Sequence, residues 1–152
     1  MSHQSFRSAS REKTVPVVKS LIAWLVILCL AVANGALREA VLIPALGRTS
    51  GLILSGVLLS VLVAVVAYIF MRLVPRVTVS NAVQIGVLWL FLTLAFEFGL
   101  GRFIQHKSWA ELFEAYTFKE GNIWPIVLAV TLLAPALAAK VVSRGRHGKH
   151  DA

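Results

Sequence analysis

The chain has 152 residues, 58% of them hydrophobic and only 14% charged, with a mean hydropathy of +0.80. A soluble globular domain carries about 45–50% apolar and about 25% charged residues, so this composition excludes an ordinary water-soluble fold and points to a bilayer. The formal charge of +8 comes from Lys and Arg gathered in the tails and the central loop, where basic residues report membrane orientation rather than nucleic-acid binding.

Residues 1–19 are polar, Ser-rich and basic, with Arg7, Arg11, Lys13 and Lys19 against Glu12, and read as a disordered tail. Residues 20–37 contain no charge and are long enough, at 1.5 Å per residue, to cross most of a ~30 Å hydrocarbon layer. Arg38 and Glu39 follow, and the helix is expected to run on until Pro44 and Gly47 end it. A rival reading takes this start as a cleaved signal peptide with Ala31-Val32-Ala33 as the cleavage site. The long basic stretch before it and the apolar run beyond it favour an uncleaved anchor. Cys29, the single cysteine, has no partner for an intramolecular disulfide and reads as a packing residue.

The second span is expected over residues 50–74, ending against Arg72, Pro75 and Arg76. Gly56, Ser60 and Ala64 recur every four residues, a stripe where another helix can approach closely, within the bundle or from a second copy. The third span, residues 80–104, carries Glu97 inside its apolar run. Before the fourth span, Ser108 followed three residues later by Glu111 is a capping-box signature. Trp109, Leu112, Phe113 and Tyr116 then share one helical face, as in a short helix lying on a membrane surface. The fourth span covers residues 123–142, with Pro125 in its first turn and Pro135 inside, where it frees the carbonyl of Thr131 and predicts a kink. Residues 143–152 form a second basic tail.

The expected architecture is therefore all-α: a four-helix transmembrane bundle over residues 20–142 between two basic tails, with an interfacial helix between spans three and four. Arg72 and Arg76 make the second loop basic, as the tails are. The first connection holds Arg38 and Arg48 with Glu39, and in the third loop Arg102, Lys107 and Lys119 balance Glu111, Glu114 and Glu120. This asymmetry predicts that both termini are cytoplasmic. Trp24 and Tyr68 fall near the inner boundary and Trp109, Tyr116 and Trp124 near the outer one, as interfacial aromatics do; Trp89 lies deeper, without an evident reason.

Chemistry concentrates on a few charges. Counted from the cytoplasmic ends of their spans, Glu97 and Arg38 reach similar depths of roughly 24–25 Å, and an isolated charge there costs at least ~2.5–3.5 kcal/mol. Pairing Arg38 with Glu97 is the expected solution, with Glu39 and Arg102 extending the pair to a four-charge cluster and Asn34 one turn below Arg38. That cluster reads either as a salt-bridged staple between spans one and three or as the lining of a polar cavity open to the outside. His3, His106, His147 and His150 sit in tails or a loop with no cysteine beside them, so no metal or other cofactor is expected. No nucleophile triad, phosphate loop or paired-acid motif appears. The expected partners are the lipid bilayer and a second copy or another membrane protein, not nucleic acid.

With NGALREAVLIPALG ending span one, EFGLGRF closing span three and NIWPIVLAVTLLAPALAAK forming span four, the chain resembles an uncharacterised bacterial family of small four-span inner-membrane proteins. The resemblance covers residues 23–140 and implies a multi-pass protein of the bacterial inner membrane with no assigned activity. Small multidrug-resistance transporters are similar in span count and in having a membrane carboxylate, but theirs lies in the first helix. The membrane-associated eicosanoid and glutathione metabolism enzymes are similar in length and span count, but their Arg, Asn, Glu and Pro motif differs in order and spacing from Asn34, Arg38, Glu39 and Pro44. The leading expectation is a non-enzymatic structural or accessory component. The alternative is a small proton- or ion-coupled transporter using Glu97.

Overall fold

The structure, a computed structural model, describes residues 16–74 and 77–147. Most of the N-terminal tail, Arg76 and the end of the C-terminal tail lie outside the described residues. The described chain is helical: α1 (Val17–Leu37), α2 (Ile43–Leu46), α3 (Arg48–Leu73), α4 (Val79–Gly99), α5 (Trp109–Glu114) and α6 (Trp124–His147). Four segments, Val17–Leu46, Arg48–Leu73, Val79–Ile104 and Trp124–Gly145, are long and apolar enough to cross a membrane. The protein is thus an all-α four-helix bundle, as the hydropathy pattern predicts.

Side-chain charge did not set the helix ends. Helix α1 begins at Val17, three residues before the expected start, and α6 runs past Val142 through part of the expected tail. Lysines and arginines leave the backbone ladder intact, and in the last turns of α6 they also oppose the negative end of the helix dipole. Backbone chemistry sets the other ends. Gly47, at φ 80°, turns the chain sharply between α2 and α3. Thr78 caps α4 by accepting the Asn81 N–H at 3.2 Å.

Spans one and three each contain a five-residue π-turn, Arg38–Leu42 before the last turn of span one and Leu100–Ile104 at the end of span three. In the first, the Ile43 N–H reaches back to the Arg38 carbonyl. The α-ladder is already interrupted there, so Pro44 enters one residue later without removing a regular i→i−4 bond. This is why span one continues to Leu46.

Helix α6 packs between α3 and α4, while α1 packs mainly on α3 and touches α4 lightly. The half of the bundle at the end of the chain termini, called inner below, is close-packed around Val63, Ala67, Ala82, Ile85, Trp89, Ala134 and Ala138. Small residues permit the closest crossing: a Cβ on Gly86 would stand 2.0 Å from the Leu132 carbonyl oxygen. Gly56 makes room for the Ile123 side chain, so the stripe expected on span two is partly used inside the chain. Ser60 turns its hydroxyl to the Gly56 carbonyl at 2.8 Å, and Ala64 is exposed.

Two tryptophans lock α1 to α4. Trp89, fully buried, donates its indole N–H to the Ser20 carbonyl and hydroxyl at 3.0 Å each, which accounts for its depth. One turn on, Trp24 donates to the Thr93 hydroxyl at 3.2 Å. Trp24 is therefore an interhelical tie rather than the interfacial anchor expected. Cys29 is also corrected: it is exposed on α1, not packed. The outward faces carry Val18, Ile22, Leu25, Val61, Phe91 and Leu137, all exposed, an apolar girdle suited to lipid.

Candidate functional site: an outer polar cavity beneath a fastened loop

The half of the bundle away from the chain termini, called outer below, opens into a cavity of about 530 Å³, within the 300–1,000 Å³ range of small-molecule sites. Asn34, Arg38 and Glu39 line it from span one and Glu97 from span three, whereas Arg102 is not on its wall. Both π-turns contribute to the lining, through Arg38 and Glu39 on one side and Leu100 and Gly101 on the other.

Within this cavity the expected Arg38–Glu97 ion pair is not formed. Arg38 Nε donates to the neighbouring Glu39 at 3.0 Å, and Arg102 donates to the Lys107 carbonyl at 3.3 Å. The cause is register. The bonds Ser20–Trp89 and Trp24–Thr93 hold α1 and α4 side by side at a constant offset of 69 residues. Carried four residues further, that register sets Glu97 beside Leu28 and well short of Arg38. Counting depth from the two helix starts misplaced the charges because those starts are not level.

Glu97 instead finds neutral donors from the outer loop and span four. The Tyr116 hydroxyl and the Trp124 indole N–H both donate to its Oε2, each at 2.8 Å. Tyr116 and Trp124, expected at the membrane interface, are turned inward, whereas Trp109, expected there with them, remains strongly exposed, as do Phe103, Phe113 and Phe118. An amphipathic aromatic carries a polar tip that must be satisfied when buried, and that tip was the signal available in the sequence. Asn34 is a second polar side chain of the cavity wall, farther along span one. It is buried, and its Nδ2 donates to the Ser55 hydroxyl at 2.8 Å and carbonyl at 3.1 Å.

The loop above the cavity is built as its sequence predicts. Ser108 Oγ accepts the Glu111 N–H at 3.3 Å while Glu111 accepts the Ser108 N–H at 2.7 Å, closing the capping box. Leu112 buries itself over Gly101, where a Cβ would collide with it. Phe98 gathers Trp109, Phe113 and Tyr116 into one aromatic cluster, with ring centroids 5.7–6.3 Å apart. Arg48 pairs with Glu120, and Gly121, at φ 85°, lies against Thr49. The loop is thereby fastened to spans two, three and four.

Electrostatics follow the bonding. The backbone and hydroxyl of Ser108 hold the Glu111 carboxyl below the usual carboxylate range. Lys119 lowers Glu114 and is itself raised by it. Burial, followed by the bond to Glu97, pushes the Tyr116 phenol well above its ordinary value, so it remains a donor. Among the described residues no three His, Cys, Asp or Glu side chains gather as metal ligands.

No protein-family model matches this chain, and neither a curated protein nor a solved structure matches it. The functional reading therefore rests on the geometry.

Proposed function

We propose that this chain is a multi-pass protein of the bacterial inner membrane, with both termini cytoplasmic, acting as a non-enzymatic structural or accessory component. The observation that carries this reading is the pair of hydrogen bonds that Glu97 accepts. Its Oε2 holds Tyr116 of the outer loop and Trp124 at the head of span four, so the charge fixes the outer architecture of the bundle. A carboxyl anchored to two neutral donors suits a fastening role better than that of a mobile proton carrier. The basic segments around Arg72 and Lys140, against the balanced outer loop, support the orientation. The lipid bilayer is the first partner. A second copy or another membrane protein would meet the apolar girdle.

Loop accessibility tests this reading. A cysteine introduced at His106, in a Cys29→Ser background, is labelled from outside the membrane. Glu97→Ala is expected to raise its labelling rate severalfold and to lower the abundance of the protein in membranes. Normal abundance with unchanged labelling would overturn the fastening role. Reporters fused after residues 76 and 140 are expected to read cytoplasmic and one inserted near Lys107 external; a reversed pattern would overturn the orientation.

A further inference from the structure

Beyond fastening the loop, the inner wall of the outer cavity has an unbalanced hydrogen-bond inventory. Around Glu97 and Asn34 the donors are already spent: Tyr116 and Trp124 both point at Glu97 Oε2, and the Asn34 amide points at Ser55. What these two side chains still offer are acceptors. Asn34 Oδ1 is buried with no donor among the described residues, on a side chain only 6% exposed. Among the described residues no donor reaches Glu97 Oε1 either, because both bonds fall on Oε2; unlike Asn34 Oδ1, this oxygen keeps accessible surface. A buried acceptor without a partner costs roughly 1–3 kcal/mol, so its retention on a cavity wall calls for a donor from outside the chain.

We propose that this cavity binds a small amphiphilic primary or secondary ammonium ion, its N–H groups directed at Glu97 Oε1 and Asn34 Oδ1 and its hydrocarbon part lying along the apolar wall. The charge balance favours a cation. At the rim Arg38, Arg48 and Lys119 each carry an acidic partner, and the Glu111 carboxylate lies within coulombic reach of Lys107. Deeper in, Glu97 is hydrogen-bonded only to neutral donors, with Lys107 acting on it through coulombic attraction and no direct bond. Phe96 and Trp124, also on the wall, offer aromatic faces that attract ammonium groups, and Leu28 and Leu59 offer aliphatic surface. A quaternary ammonium would supply charge without donors and leave Asn34 Oδ1 unsatisfied. A carboxylate would meet acceptors with acceptors.

The test uses the full chain purified in detergent, with hexylamine as the probe near neutral pH and tryptophan fluorescence as the readout, since Trp124 is bonded to the group that binds. Saturable binding is expected, at least tenfold tighter for hexylamine than for hexyltrimethylammonium, hexanol or hexanoate, and at least tenfold weaker in Glu97→Gln. Equal responses to all four probes would mean partition into an apolar phase, and tighter binding of hexanoate would mean an anion site; either overturns the proposal, as does a flat titration. If Glu97→Gln does not accumulate, the ranking of probes on the unaltered protein decides. Loop labelling without ligand reads the fastening role separately, so failure of one proposal is distinguishable from failure of the other.

Discussion

Glu97 and Trp124 stand 27 residues apart in sequence and 2.8 Å apart in the fold, the carboxyl of span three accepting the indole N–H at the head of span four. With Tyr116 on the same oxygen, this contact joins two spans and the loop between them at one atom.

Removing a single donor should loosen that junction without unfolding the bundle. Tyr116→Phe is expected to destabilise the outer loop by roughly 1.5–3 kcal/mol, the scale of a hydrogen bond to a charged group. Hydrogen exchange would show faster turnover confined to residues 105–123, with the inner halves of the spans unchanged.

Exchanging the two intramembrane charges should not restore the protein. Because Arg38 bonds to Glu39 and Glu97 to Tyr116 and Trp124, the double variant Arg38→Glu with Glu97→Arg is expected to be as depleted from membranes as Glu97→Arg alone. Recovery in the double variant, measured by membrane immunoblot, would show that the two charges meet.

The closest helix crossing gives a contrast between two glycines. Gly86→Ala places a methyl group 2.0 Å from the Leu132 carbonyl oxygen, a backbone atom that cannot swing aside, so loss of folded protein is expected. Gly99→Ala meets nothing within 4 Å and should be neutral, or stabilising by up to about 1 kcal/mol through helix propensity. Resistance to detergent denaturation separates the two.

The tie between α1 and α4 predicts unequal effects at its two ends. Trp89→Ala removes a fully buried ring and should cost about 3–5 kcal/mol. Ser20→Ala leaves the Ser20 carbonyl to accept the same indole N–H, so its cost should be about 1 kcal/mol or less.

Two groups of the outer loop set opposite pH limits. The Glu111 carboxyl is lowered in the folded state, so its capping contribution is complete above the ordinary carboxylate value and is lost as pH falls through the lowered one. Protection of the amides over Trp109–Glu114 from exchange, relative to their intrinsic rates at each pH, should fall only at acidic pH. The Tyr116 phenol is raised, so its contribution is complete below pH 10 and declines as pH rises toward the folded-state value. The difference in tyrosinate absorbance between the native protein and Tyr116→Phe should therefore remain near zero at pH 10.

Periodicity and composition determined much of this protein. An apolar run of 18 or more residues has one economical outcome in a bilayer, because every backbone polar group must be satisfied within its own helix. The spans, the all-α class and the Ser108–Glu111 cap were legible for that reason, as local chemistry that needs no distant partner. Asn34, Arg38, Glu39 and Glu97 stood out as candidates in the same way, since polar groups within apolar runs are conspicuous. Which of them meet depended on the relative sliding of the helices, and hydropathy carries no information about that register. It was decided by contacts between remote residues: Trp89 on Ser20, Trp24 on Thr93, and Gly86 against Leu132. These gave Glu97 two neutral donors in place of Arg38 and left Asn34 Oδ1 unpartnered on the wall of a cavity.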